Sequence, residues 1–229
     1  MRIQPEIDGA SVVLIGGFNP TIFTPDWFLK YDVLSQEDFD QTKIKVIHPE
    51  IADFQNQWLK VQVVGNRFLA ETQEKPFIRI HDFVLMTFRQ HLFHTPLQQL
   101  GINRTVHFNA GSEANRDKIG CALAPREPWG KWGSKINSGK GLKHGGMRNL
   151  IMEIRDLDDR SEGVIKVIIQ PSSEVDNGVR VDINDHFEAP EDDDSVGDTD
   201  FIMKTLESRF EASHARSEEI IAQIMGLAE

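Results

Sequence analysis

The chain predicts an α+β fold, in which two units of the order β-α-β-β-β-α share one mainly antiparallel sheet with two long helices on one face. Three observations carry that prediction. Residues 11–93 and 103–225 read alike: "SVVLIGG" matches "RTVHFNA", and "WLKVQVVGNRFLAETQ" matches "VIKVIIQPSSEVDNGVRVDIN". Each unit ends in an amphipathic helix, "PFIRIHDFVLMTFRQHLF" in one and "DFIMKTLESRF…IIAQIM" in the other. Short turns such as Gly65-Asn66 join runs of β character, a connection open to antiparallel neighbours. A unit with one bare apolar face must cover it, and a second copy is the simplest cover. Residues 1–229 are therefore expected to form a single domain, with an inserted Gly/Lys/Trp loop at 125–146 and an acidic flexible linker at 188–198.

The elements follow in order. Residues 12–15 are an apolar run stopped by Gly16-Gly17, a buried strand. Thr24 caps a short helix with Pro25 in its first position and Asp26 at its positive end; Trp27, Phe28 and Tyr31 give it an aromatic side. The aromatic stretch "GGFNPTIFTPDWF" is expected to pack beneath the insert loop, or else to form an exposed apolar patch. "TKIKVIHPE" alternates as a half-buried strand, and "WLKVQVV" and "RFLAETQ" flank a tight turn. From Pro76, Phe77, Ile80, Val84, Phe88 and Leu92 recur at spacings of three and four and make one helical stripe. "HTPLQQLG" reads as the connection between units. In the second unit Ser112 caps "EANRDKIGCALA", and "RNLIMEIRD", "GVIKVIIQ" and "GVRVDIN" supply three strands. The last helix opens near Thr199 with Phe201, Ile202, Leu206 and Phe210, and closes with Ile220, Ile221, Ile224 and Met225. The polar waist between them, "EASHARSEE", suggests that one end leaves the body of the domain to dock on a partner; fraying in solvent is the alternative. In topology this order is similar to TATA-binding-protein-like and helix-grip folds, a likeness that carries no function.

Composition narrows the classes. Hydrophobic residues make up 39% and charged residues 27%, enough for a core that needs no staples. Cys121 is the single cysteine, so no internal disulfide forms, which fits a reducing cytoplasm; in "IGCALA" it reads as a core thiol. No apolar run suits a signal segment or a membrane span, and no membrane partner is expected. A net charge of −11 repels phosphate backbones and disfavours nucleic acid as a partner.

Four constellations could carry chemistry. The loop "REPWGKWGSKINSGKGLKHGG" gathers Arg126, Lys131, Lys135, Lys140, Lys143, His144 and Arg148 in an acidic chain. Its glycines can turn backbone N–H groups onto an anion, its lysines add point charges, and Trp129 and Trp132 can stack on a base. It is not a phosphate-hydrolysing loop: five residues separate Gly133 from Gly139, and Gly141 stands where Ser or Thr would hold magnesium. The alternative is a surface loop stapled by its tryptophans. Asn184, Asp185 and His186 sit at the end of a strand, where Asp185 and His186 could form an acid–base pair or serve as two metal ligands. Neighbours on a strand point to opposite faces, so they converge only if the backbone turns; turn chemistry is the plainer reading. His91 and His94 lie three apart near a helix end, with His48, His81 and His107 as further donors, yet the dipole alone favours histidine there. No metal or cofactor is expected. The carboxylates of "DLDDR" and "PEDDD" lie in polar turns and read as solvated.

The strings "LQQLGINRTVHF", "PREPWGKWG" and "VDINDHFE" together resemble a scattered family of uncharacterised bacterial proteins, mainly over residues 97–188. The resemblance implies no agreed activity, cofactor or catalytic residue. Its scattered occurrence suits an accessory gene of a defence-type operon. The leading expectation is a cytoplasmic, non-enzymatic interaction protein that assembles with itself or with a larger partner. A sensor of nucleotide or single-stranded RNA built on residues 126–148, and a hydrolase built on Asp185 and His186, are the alternatives.

Overall fold

The computed structural model describes residues 3–136, 145–155, 157–160, 163–190 and 197–228. The chain runs β1 (Pro5–Gly16), α1 (Pro25–Lys30), α2 (Gln36–Asp40), β2 (Lys43–His48), β3 (Ile51–Gln55), β4 (Lys60–Val64), β5 (Arg67–Thr72) and α3 (Ile78–Leu85), which continues as a π-helical turn through His91. It goes on through β6 (Leu97–Asn109), α4 (Glu113–Leu123), α5 (Gly130–Gly133), β7 (Leu150–Ile154), β8 (Gly163–Pro171), β9 (Gly178–Glu188) and α6 (Thr199–Gly226). The fold is α+β. Among the described residues nine strands form one sheet in the order β2-β3-β4-β5-β1-β6-β9-β8-β7, and every neighbouring pair is antiparallel.

Several elements differ from the sequence reading. Ile51–Gln55 is a strand between Lys43–His48 and Lys60–Val64, so four strands rather than three follow the first helical insert. Its inward Ala52 and Phe54 are fully buried, and that burial carries a segment of weak β propensity. β6 starts at Leu97, not at 103, because Leu100 and Ile102 alternate into the core and Leu97 reaches it past a register shift opposite Gly16, and the connection shrinks to residues 94–96. The aromatic stretch 16–28 is core: Phe23 packs on Phe18, Phe68 and Phe88 with ring centroids 5.6–6.1 Å apart, and Phe28 lies 5.0 Å from Phe83. Cys121 is half-buried. The expected caps form: Thr24 Oγ1 accepts from the Trp27 N–H at 3.2 Å and Ser112 Oγ from the Asn115 N–H at 3.1 Å. Of the acidic linker, Glu188 ends β9 and Asp198 caps α6 by accepting from the Phe201 N–H; residues 191–196 lie outside the described residues.

The helix α6 is unbroken for 28 residues, about 42 Å at 1.5 Å each, and neither end leaves the sheet. It packs on β6 and β9, and it contacts α3, so both long helices cover one face. Below it are two apolar clusters. One holds Ile102, Phe187, Leu206 and Phe210; the other holds Val106, Ile183 and Ile221. Between the clusters, each element offers a polar side chain: Arg104 on β6, Asp185 on β9, and Ser213, Arg216, Ser217 and Glu218 on α6. The polar waist is thus the helix's half of a polar seam that separates the two cores.

Candidate functional site

The seam holds two ion clusters. In the first, Asp185 is 2% exposed, and its Oδ1 accepts from Arg160 Nη1 at 2.6 Å while Oδ2 accepts from Arg216 Nη1 at 2.8 Å. Asp159 closes a ring of charges: its carboxylate accepts from Arg160 Nε at 2.9 Å and Nη2 at 3.1 Å, and from Arg216 Nη2 at 3.2 Å. The hydrogen bond from Arg160, reinforced by the charge of both guanidiniums, holds the Asp159 carboxyl down at about 2. The Arg160 guanidinium lies over the Phe187 ring at 3.7 Å, a cation–π contact on its apolar side. This cluster walls a cleft of about 760 Å³ that runs past Phe187, Pro190, Phe201, Lys204, Ser208 and Arg209.

In the second cluster Arg104, 2% exposed, donates from Nη1 to Glu218 at 2.6 Å, from Nη2 to Asp8, and from Nε to the Gly9 carbonyl at 3.2 Å. Its guanidinium stacks on Phe77 at 4.6 Å. Beside it His214 packs on Phe210 at 4.3 Å, with its Nε2 buried and lacking a hydrogen-bond partner. Burial, with the positive charge of Arg104 adding to it, pushes the His214 pKa down to about 4. A buried charge costs several kcal/mol unless it is paired and hydrogen-bonded, and here both conditions are met for Arg104 and Asp185.

The structure separates the residues whose convergence the sequence left open. Asp185 lies in the inward row with Val181, Ile183 and Phe187, and both its oxygens are taken by arginine. His186 lies in the opposite row and meets Glu188 at 3.1 Å, so Asp185 and His186 form no acid–base pair. Asn184, also on the open face, donates to Asn103, which donates to Ser11 at 3.2 Å. The insert is not a bare loop: residues 127–133 form two short helical turns that carry Trp129, Lys131 and Trp132. Trp129 and Trp132 are 61% and 63% exposed with rings 5.3 Å apart. Lys135 follows the second turn, whereas Lys140, Lys143 and His144 lie outside the described residues. Arg126 and Arg148, at the base of the insert, line a small pocket with Arg116, Asp117, Gln170 and Val179. Val179 and Asp185 are six positions apart on β9, about 20 Å at 3.3 Å per residue. The basic insert and Asp185 therefore occupy opposite ends of one strand. His91 packs on Tyr31 at 4.9 Å and His94 on Phe93 at 4.1 Å. Among the described residues no helix is long and apolar enough to cross a membrane.

No protein-family model matches this chain, and no curated protein matches it.

Sequence reasoning passed over Arg104, Arg160 and Arg216, and it read the carboxylates of "DLDDR" as solvated, whereas the Asp159 carboxylate is 23% exposed and held by Arg160 and Arg216. For Arg104 a signal was present: it interrupts the inward series Leu100, Ile102, Val106, Phe108. Asp159 and Arg160 fall in a turn and carry no such signal.

Proposed function

We propose that this chain is a non-enzymatic interaction or accessory subunit that works in the cytoplasm by assembling with itself or with a larger partner. Its scaffold, in this reading, is a duplicated unit joined through the central pair β1 and β6, the first copy carrying one strand more than the second, with the likeness to TATA-binding-protein and helix-grip folds confined to topology. One observation carries the proposal: Ile151, Met152 and Ile154 on the edge strand β7 are each more than half exposed. Exposed apolar side chains on both faces of an edge strand, Met152 and Ile154 on the helix side and Ile151 on the other, make a docking surface that invites aggregation if left open. The satisfied ion pairs around Asp185 and Arg104 add support, because they give those buried charges a role in docking α6. Light scattering after size exclusion tests the reading. Assembly, or a stoichiometric partner that co-purifies, is the expected result; a strict monomer at high micromolar concentration, with no partner, refutes it.

A second reading draws on Trp129 and Trp132, two adjacent exposed indoles with Lys131 between them. Such a pair is suited to stack on a nucleotide or single-stranded RNA. Quenching of tryptophan emission by a nucleotide panel, weakened by salt and by Lys135→Ala, supports it; unchanged emission across the panel refutes it.

A further inference from the structure

Among the described residues the sheet ends at β2 and β7, and these two edges are built differently. On β2 the pairing register slips between Ile44 and Val46, and the strand carries Lys43 and Lys45. A bulge and lysines are the usual devices that keep an edge from pairing. On β7 the register runs unbroken from Leu150 to Ile154 against Ile169 to Ile165, with neither proline nor lysine. Its one charge, Glu153, is already met by Lys166 at 3.0 Å and Arg155 at 2.8 Å. The edge that is blocked and the edge that is open can therefore be told apart on physical grounds.

We infer that β7 pairs antiparallel with β7 of a second copy of this chain, about a twofold axis at Met152 perpendicular to the sheet. The inference rests on the self-assembly reading above and names its surface. An axis perpendicular to the sheet keeps the helices of both copies on one side, so facing residues must share a face of the strand. With Met152 on the axis, Leu150 faces Ile154 of the second copy and Met152 faces Met152, an all-apolar row on the helix side. Ile151 then faces Glu153 on the open side, and all five strand residues are paired. An axis at Glu153 sets carboxylate against carboxylate, which repels. An axis at Ile151 sets Arg148 against Ile154, and axes farther out leave part of the strand unpaired.

The surface beside the strand suits the same occupant. A stable interface covers roughly 800 Å² on each partner. A five-residue strand, about 17 Å long, does not supply that alone. Next to it, between β7 and α6, lies a groove of about 440 Å³ walled by Met152, Ile154, Leu157, Ile165, Val167 and Ile220. A second β7 strand, one strand spacing of about 4.8 Å farther out, lays its own Leu150, Met152 and Ile154 along the open side of that groove.

Cysteine cross-linking tests the axis. Facing Cα atoms of an antiparallel pair are about 4.5–5.5 Å apart, inside the roughly 4.4–6.8 Å that a disulfide spans. In a Cys121→Ser, Met152→Cys protein, mild oxidation is expected to give a covalent dimer that migrates at twice the chain mass without reductant. The same change at Ile47 on β2, in the Cys121→Ser background, is expected to give none. Met152→Lys, at an exposed site that folding tolerates, is expected to weaken dimerisation at least tenfold by light scattering. If the wild type dimerises yet Met152→Cys fails to cross-link and Met152→Lys stays dimeric, the β7 assignment falls while self-assembly stands. A wild type that is monomeric at every concentration overturns both.

Discussion

His214 gives the seam a pH dependence that can be worked out in advance. Its ring lies against Phe210 at 4.3 Å and Phe77 at 5.8 Å, and its Nε2 has no hydrogen-bond partner. Burial comes first among the causes that lower its pKa from 6.5 to about 4; Arg104 and His81 act in the same sense, and Asp8 opposes them. The native state thus holds the ring neutral, and the unfolded chain protonates it more readily. Stability from this group is nearly complete above pH 6.5, is lost as pH falls through 6.5 toward 4, and levels off only once pH is below about 4. Linkage with those two values gives a loss of about 2 kcal/mol between pH 7.5 and pH 5, and about 3 kcal/mol by pH 4. His214→Phe keeps a ring between Phe210 and Phe77 and removes the titration. Urea unfolding of both proteins at pH 7.5, 6, 5 and 4 measures the difference directly. The variant is expected to gain on the wild type by about 2 kcal/mol at pH 5 relative to pH 7.5. Parallel curves across that range refute the reasoning, since they would mean that His214 is protonated as easily in the native protein as in the unfolded chain.

Asp159 responds with a different window. Its depressed carboxyl contributes stability that is full above pH 4 and is lost as pH falls toward 2, so Asp159→Asn is expected to cost about 1–2 kcal/mol at pH 7 and to flatten the acid limb below pH 4 in the same titration. Asp185→Ala leaves Arg160 and Arg216 sharing Asp159 alone; a loss of about 3 kcal/mol in urea unfolding is expected, near the low end for breaking a buried pair because that second carboxylate remains. A loss under 1 kcal/mol would show the cluster to be solvated. Replacing Trp129 and Trp132 by Phe is expected to remove the tryptophan emission most open to acrylamide while the unfolding free energy stays within about 0.5 kcal/mol.

The strands and long helices were legible because each buries a periodic row. Val181, Ile183 and Phe187 on β9 and Ile80, Val84 and Phe88 on the α3 helix and its π turn declare their inward sides without any tertiary knowledge. Ile51–Gln55 was not legible, since a five-residue run containing Ala52 and Asp53 becomes a strand only when its neighbours on both sides pair with it. The insert hid its helical turns behind glycine and proline, which read locally as loop. The site was less legible still. Asp185 was visible, but its meaning depends on arginines 25 and 31 positions away.

That dependence also explains why the polar waist of α6 misled. A run such as "EASHARSEE" is what a solvated helix face looks like, and sequence alone supplies no reason to bury its Ser213 and Ser217 side. The burial follows from register across the sheet: Arg104 faces Ile183 and Ile102 faces Asp185, so the two inward charges stand one inward step apart on neighbouring strands. A helix laid across β6 and β9 must meet both. Glu218 meets Arg104 and Arg216 meets Asp185 at the separations given above, which fixes how far α6 can slide along the sheet. A slip by one turn, about 5.4 Å, would take Glu218 from Arg104 and Arg216 from Asp185 at once, leaving Arg104 to Asp8 and Asp185 to Arg160 alone. Apolar packing alone would tolerate such slips far better, because leucine and isoleucine on one turn resemble those on the next. The seam thus sets the position of the helix that forms the inner wall of the β7 groove, and so ties the buried charges to the shape of the outer surface.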